Sequence, residues 1–537
     1  MNLVSDRPAY CLLTVSAVVS LERRVVTMGI RCGLRTHVLC LATVALTWAS
    51  SPAYAIDNAT FWEQRTSILQ SEDTDILGHN SKLTEAEMKA NAMLMTLKEK
   101  EMADAFENLN FPPAKNFMTV REEIEASNVF QFISDMPKGA ALHMHSSSMV
   151  SMSWVIEEIT YWPNLYMCYT NNGKLKMKFT EAPDTSCAWQ LVSEVRATYP
   201  TEDDFNRELT EKLSLWTDDP DEAYPDISSA WDAFEDALSA QKGIVLYRPA
   251  YESYLYQALK EFMEDNVLYL EFRGTLTPMY ELNGTHLSLE ATVAIYRDTV
   301  QRFVQDHPGS FYGARFIFAP SRDTSLDKMW ENVASARHLK ELFPDFVAGF
   351  DLVGQEDKGV PLKDFLEPLL WLNEGVVSVP VFYHAGETAW MGMSTDENLI
   401  DALLLNATRI GHGYAITKHP RAKALARDTQ TPIEVCPVSN QVLKLVDDLR
   451  NHPAAGLVAE GFPIVVSSDD PGSWGAKGLS YDFYEAFMAL GGAKADLRFL
   501  KQLAVNSMQY SSLEFNAKGE LIALWLEKWN SFISEFQ

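Results

Sequence analysis

The sequence predicts an α/β fold: a TIM-type (β/α)8 barrel with an N-terminal helical segment and a small inserted subdomain after its first strand. Three observations predict it. From Gly139 onward, short apolar runs alternate with longer helical patterns, the mark of βα repeats and a parallel sheet. Eight such runs can be counted, at 139–145, 266–273, 315–320, 346–353, 379–384, 407–411, 432–436 and 463–468, and eight is the barrel number. Ionisable residues stand where several of these runs end: His143 and His145, His384, His412, and the tandem Asp469-Asp470. Carboxyl ends of strands are where barrel enzymes place their reactive groups.

Taken in order, residues 1–55 read as a leader outside the fold. Arg31 and Arg35 carry positive charge, Val38–Trp48 is apolar but short for a bilayer span, and Ala53-Tyr-Ala55 has the small-x-small pattern of a signal peptidase site. Cleavage near Ala55 predicts an extracellular protein with no membrane span. Met28 would give a more conventional leader, so Met1–Thr27 reads as an upstream extension or a misassigned start. Residues 56–127 read as helical, with a capping-box-like start between Thr84 and Met88 and with Met88, Met93, Leu94, Leu97 and Met102 at roughly helical spacing. That segment would either pack on a partner chain or cover the barrel's bottom. The barrel proper is read over 128–537. Within it, residues 150–240 are too many for one helical crossover and alternate weakly in Lys174-Leu-Lys-Met-Lys-Phe179, so they read as an inserted subdomain.

Composition narrows the partners. A chain of 537 residues with 47% apolar content can bury a large core, and its net charge of −28 disfavours polymeric nucleic acid and anionic membrane surfaces. A small uncharged substrate meets no such penalty. Of the six cysteines, Cys11, Cys32 and Cys40 fall in the leader, leaving Cys168 and Cys187 able to pair in an oxidising compartment and Cys436 as a buried thiol. Sequons begin at Asn58, Asn283 and Asn406.

The chemistry follows from spacing. Residues two apart in a strand point the same way, so His143 and His145 can reach one ion. His384 and Asp469 complete three imidazoles and a carboxylate, a set that suits one zinc per chain and leaves room for water. Glu387, three residues beyond His384, can enter the cavity as proton carrier, and His412 can orient or deprotonate the water. Any one of these residues alone would be read as structural. Several ionisable groups at the ends of separate strands are costly to bury unless they serve one site. The His-x-Glu with Pro-Cys-x-x-Cys signature of the cytidine deaminase zinc fold is absent.

Met136-Pro-Lys-Gly-Ala-Ala-Leu-His-Met-His145, His384-Ala-Gly-Glu-Thr388, Arg409-Ile-Gly-His-Gly413, Glu434-Val-Cys-Pro-Val-Ser-Asn440 and Ser467-Ser-Asp-Asp-Pro471 closely resemble the adenosine deaminase superfamily. Ser439-Asn-Gln-Val-Leu-Lys-Leu445, Leu449-Arg-Asn-His-Pro453 and Gly475-Ala-Lys-Gly-Leu-Ser-Tyr-Asp-Phe-Tyr484 narrow the resemblance to its secreted branch, the adenosine deaminase-related growth factors. The resemblance implies a metal-dependent hydrolase barrel with zinc on His143, His145, His384 and Asp469. Hydroxide would attack C6 of adenosine, or of a related purine nucleoside such as 2'-deoxyadenosine, while Glu387 gives a proton to N1, yielding inosine and ammonia. It further implies that Gly354 and Asp470 contact the purine and Trp231 borders the ribose. Residues 56–127 would form a homodimer, and the insert with Cys168 and Cys187 would be a domain for a cell-surface receptor or glycan. A signalling protein acting through insert and dimer face is the alternative. Two positions depart from the family's pattern: Ser146 stands where an aspartate commonly helps hold the ribose, and Ser321 where relatives can carry a histidine. Both put nucleoside preference in question and leave the metal set intact.

Overall fold

The computed structural model describes residues 56–536, so the expected leader lies outside the described residues. The described residues fall into two units, 56–68 and 69–536. The helix Asn58–Asp75 begins in the first and buries none of its side chains; Phe61, Trp62 and Ile68 are exposed. A second helix, Glu85–Asn108, begins with a capping box. The box closes on Glu87 rather than Met88: the Thr84 amide donates to the Glu87 carboxylate at 2.7 Å, and the Glu87 amide donates back to the Thr84 hydroxyl. Its buried face is Glu87, Ala90, Leu94, Lys98 and Ala105, while Met88 and Met93 point outward. Charged residues hold the inner stripe because each is fully partnered there. The Lys98 ammonium donates to the carbonyls of Phe487, Gly492 and Ala495 at 2.7–2.9 Å, and burial pushes its pKa down to about 7.

The barrel strand β1 is Gly139–His145. Before the next barrel strand the chain forms a small antiparallel sheet of β2 (Leu165–Tyr169), β3 (Leu175–Phe179) and β4 (Gln190–Leu191), in the order β3-β2-β4. A disulfide joins Cys168 in β2 to Cys187 beyond β3, and Cys436 is a buried free thiol. The helix Ile227–Val245 packs on β3.

β5 (Val267–Gly274), β6 (Gly313–Phe318) and β7 (Val347–Phe350) pair in parallel with β1 in the order β1-β5-β6-β7. β8 (His384–Ala385), β9 (Ile410–His412), β10 (Ile433–Val435) and β11 (Ile464–Val466) form a second parallel set, β11-β10-β9-β8. Two seams close these into one eight-stranded barrel. At one, Met144 pairs with Asp469, with Asp469 N donating to His143 O and His145 N to Asp469 O, both at 3.0 Å. At the other, Phe350 pairs with Val381. The run 379–384 thus contributes as an extended segment of which only His384 lies in the regular strand, the residues before it pairing through single bonds such as Phe382 N to Phe350 O at 2.9 Å. Among the described residues no helix is long and apolar enough to cross a membrane.

Candidate metal centre and active site

The alternation of β1 turns His143 and His145 to one side, their ring centroids 5.5 Å apart, and His384 at the start of β8 brings its ring to 4.6 Å from His143. β9 passes close to this cluster at a glycine: a β-carbon on Gly411 would come to 3.1 Å of both His143 and His384, so either would have to give way. Asp469 follows β11. His143, His145, His384 and Asp469 each offer a ligand atom, all within 4.8 Å of one another.

Buried carboxylates orient the rings from behind. His143 Nδ1 lies 2.6 Å from the Glu434 carboxylate, and His384 Nδ1 lies 2.7 Å from Asp351. Arg273 spans both carboxylates, at 2.7 Å to Asp351 and 2.9 Å to Glu434, and Arg409 adds a second guanidinium on Glu434. Burial alone would raise both acids; His384 and Arg273 hold Asp351 well below the usual carboxylate range, and Arg273 and Arg409 do the same for Glu434. Each ionised acid accepts the Nδ1 hydrogen, which leaves Nε2 as a lone pair facing inward. Burial lowers the His384 pKa to about 3, against the pull of Asp351, so the ring is neutral.

A metal ion fits this arrangement. His143 Nε2 and Asp469 Oδ1 are buried with no hydrogen-bond partner, yet stand 3.4 Å apart, and His145 Nε2 stands 3.0 Å from the same oxygen. The lone pair of His143, whose hydrogen is committed to Glu434, repels the Asp469 carboxylate unless a cation lies between them. Three imidazoles and one carboxylate are a donor set for a divalent transition metal.

Beside the cluster, Glu387 is buried, and burial together with the charges of Asp469 and Glu356 pushes its pKa well above the ordinary value. Glu356 seats that loop, accepting from the amides of Gly386 at 3.0 Å and Glu387 at 2.5 Å and from the Asn398 side chain at 2.7 Å. Asp470 is also raised, by burial and by the charge of Asp469.

His412 Nε2 lies 3.6 Å from Glu387 and 3.7 Å from Asp469. A chain of hydrogen bonds assigns its tautomer. The Ala454 amide donates to His452 Nδ1 at 3.0 Å, so His452, kept neutral by burial, donates from Nε2 to Asn440 Oδ1 at 2.9 Å. The Asn440 amide then donates to His412 Nδ1 at 3.2 Å, which leaves the His412 hydrogen on Nε2, facing the site. His412 and Asp469 both sit in the left-handed backbone region, with φ of 58° and 59°.

A cavity of about 390 Å³ opens over these groups. His145, His384, His412, Glu387, Asp469, Asp470 and Gly354 line it, together with Trp231 on the insert-side helix and both Ser146 and Ser321. Every site residue singled out from the sequence therefore lines this cavity or, like His143, lies in the ligand cluster beneath it; Cys168 and Cys187 are in the disulfide instead. Sequence reasoning missed Asp351, Glu356, Glu434, Arg273, Asn440 and His452 as functional positions. The available signal was a charge inside an otherwise apolar strand run, as in Val267-Leu-Tyr-Leu-Glu-Phe-Arg-Gly274.

Residues 211–527 match the family Adenosine deaminase, and residues 39–133 match Adenosine/AMP deaminase N-terminal. The chain belongs to the adenosine deaminase family. Adenosine deaminase 2 of Pongo abelii is 44% identical over 499 residues, covering 92% of this chain and 96% of that relative. An N6-mAMP deaminase from Arabidopsis superposes with a TM-score of 0.54 at 18% identity, over 74% of this chain and 99% of the other. A zinc-bound amidohydrolase from Burkhoderia ambifaria gives 0.51 at 17%, over 76% and 94%. These two share the barrel with the present deaminase; the adenosine deaminase 2-like membership rests on the sequence relatives.

Proposed function

We propose that the enzyme hydrolyses adenosine to inosine and ammonia with one zinc ion held by His143, His145, His384 and Asp469. The observation that carries this reading is the set of inward-facing, unpartnered donors beside a carboxylic acid kept protonated by its surroundings. Bound zinc supplies polarisation of water, bringing hydroxide within reach at neutral pH. The chain's own groups do the rest. Glu387, protonated, would donate to purine N1 as the oxygen adds at C6 and would be restored by the proton released from the water; the proton of the new C6 hydroxyl would pass to the amino group, which leaves as ammonia as the C6 carbonyl forms. His412 presents an N–H, so it orients the attacking oxygen and steadies the negative charge developing there. Asp470, also protonated, donates to N7, an acceptor only, and Gly354 offers backbone without a side chain to the purine plane.

We further propose that the protein is secreted, with Asn58, Asn283 and Asn406 glycosylated; all three side chains are exposed. The region 56–127 mediates a homodimer, and the disulfide-clipped insert over 150–240 meets an extracellular partner. The test is loss of adenosine absorbance on conversion to inosine. Chelation abolishes it and zinc restores it, while Glu387→Ala lowers kcat by about 10²–10⁴-fold. Undiminished activity in Glu387→Ala would overturn the assignment.

A further inference from the structure

Away from the catalytic end, the cavity continues along Ser146, Tyr251, Tyr296, Val245, Leu246 and Leu276. Tyr251 is 3% exposed, and its ring is clamped, stacked on Tyr296 at 4.7 Å and on Tyr254 at 5.9 Å. Tyr254 is itself fixed, its hydroxyl accepting from the Met149 and Val150 amides. The Tyr251 hydroxyl therefore cannot swing to another partner. Tyr251 lines the cavity, and its hydroxyl is buried at the wall without a completed hydrogen bond, with the hydroxyls of Ser146 and Tyr296 standing near it. Ser146 is held from behind, its amide donating to Arg273 O at 2.6 Å, and its hydroxyl lies over Gly274, where a β-carbon would force that hydroxyl to turn away. The charged side chains at this end are Glu235 and Lys242, both exposed and of opposite sign on the helix Ile227–Val245.

We propose that Ser146 and Tyr251 form a neutral sugar-end subsite that admits adenine nucleosides whose 5' carbon carries hydrogen or an alkylthio group in place of hydroxyl. The inference rests on the deaminase reading above: a purine with C6 over the metal cluster directs its sugar toward this wall. A buried carboxylate there would demand a donor from every ligand, because a ligand without one strands the charge; sites of that kind reject the hydroxyl-free analogue by about 10⁴–10⁵-fold. Two hydroxyls are each donor and acceptor, so they satisfy one another or a water when the ligand brings nothing. The apolar Val245, Leu246, Leu276 and Tyr296 then favour a methyl or thioether group. Among the described lining residues the lysine at this end, Lys242, is exposed and shares its helix with Glu235, so a phosphate meets no buried positive charge there.

The experiment compares kcat/KM for adenosine, 5'-deoxyadenosine, 5'-deoxy-5'-(methylthio)adenosine and AMP in the zinc-loaded full chain, in Ser146→Asp and in Tyr251→Phe. Wild type turns over both analogues within about tenfold of adenosine, and AMP least well. Ser146→Asp lowers the analogues relative to adenosine by about a hundredfold. Tyr251→Phe, isosteric and expected to fold, raises KM for adenosine with kcat retained, so the methylthio-to-adenosine ratio rises about fivefold, a change that a merely structural tyrosine would not produce. The subsite is overturned if wild type discriminates against both analogues by more than about a thousandfold, if the ratio is unmoved in Tyr251→Phe, or if AMP is the best substrate. Adenosine turnover without analogue turnover removes this inference alone, whereas no turnover of any adenine nucleoside removes the deaminase reading beneath it.

Discussion

Arg273 is fully buried between two carboxylates that each orient a different metal-facing histidine. Arg273→Met leaves Asp351 and Glu434 short of a counter-charge, and denaturant unfolding should register a loss of about 3–5 kcal/mol. Zinc affinity falls with it, by about 10–100-fold in competitive chelator titration, because both rings lose their fixed orientation. Glu387 supplies a second prediction. Its raised pKa means that the proton it donates is present below that pKa and is lost as pH rises through it, so kcat/KM falls on the alkaline side. Glu356 contributes to that elevation, and Glu356→Gln removes a negative charge, lowers the Glu387 pKa and moves the alkaline limb to lower pH. A pH profile with an unmoved limb would count against this coupling. At this scale the ligand histidines were legible because they end apolar runs, whereas Glu356 and His452 lie in polar stretches and reach the site only through contacts made by folding.

Among the elements, β1 has the bounds read from its apolar run, since a strand buried along its length shows as continuous hydrophobicity. β8 is shorter than its run, whose earlier residues pair only through single contacts such as Phe350 with Val381. On the helix Glu85–Asn108 the apolar periodicity placed Leu94, Leu97 and Met102 on the packed side but also took in the exposed Met88 and Met93, and it could not anticipate a lysine buried on three carbonyls. The Cys168–Cys187 bridge closes a separation of 19 residues around a sheet whose strands are short. Cys168→Ser should cost that sheet about 3 kcal/mol, read as faster limited proteolysis between 165 and 191 with adenosine turnover largely retained.

For the whole molecule, eight alternating runs were enough to foresee the barrel, but not its two seams, which join segments far apart in the chain and leave no local pattern. The quaternary proposal can be tested directly: Phe61→Glu with Trp62→Glu places charge on the exposed aromatic pair of the helix Asn58–Asp75, and sedimentation equilibrium should shift from dimer toward monomer. An unchanged mass would remove that helix from the interface. The seam between Met144 and Asp469 carries a further meaning. Three of the four proposed metal ligands lie on its two sides, so closing this seam also brings the Asp469 carboxylate to the histidine pair. A nascent chain halted before residue 469 holds the histidine pair and cannot bring the carboxylate to it. Copies that end before residue 469 should therefore be inert, and turnover during refolding should not return before this seam has closed.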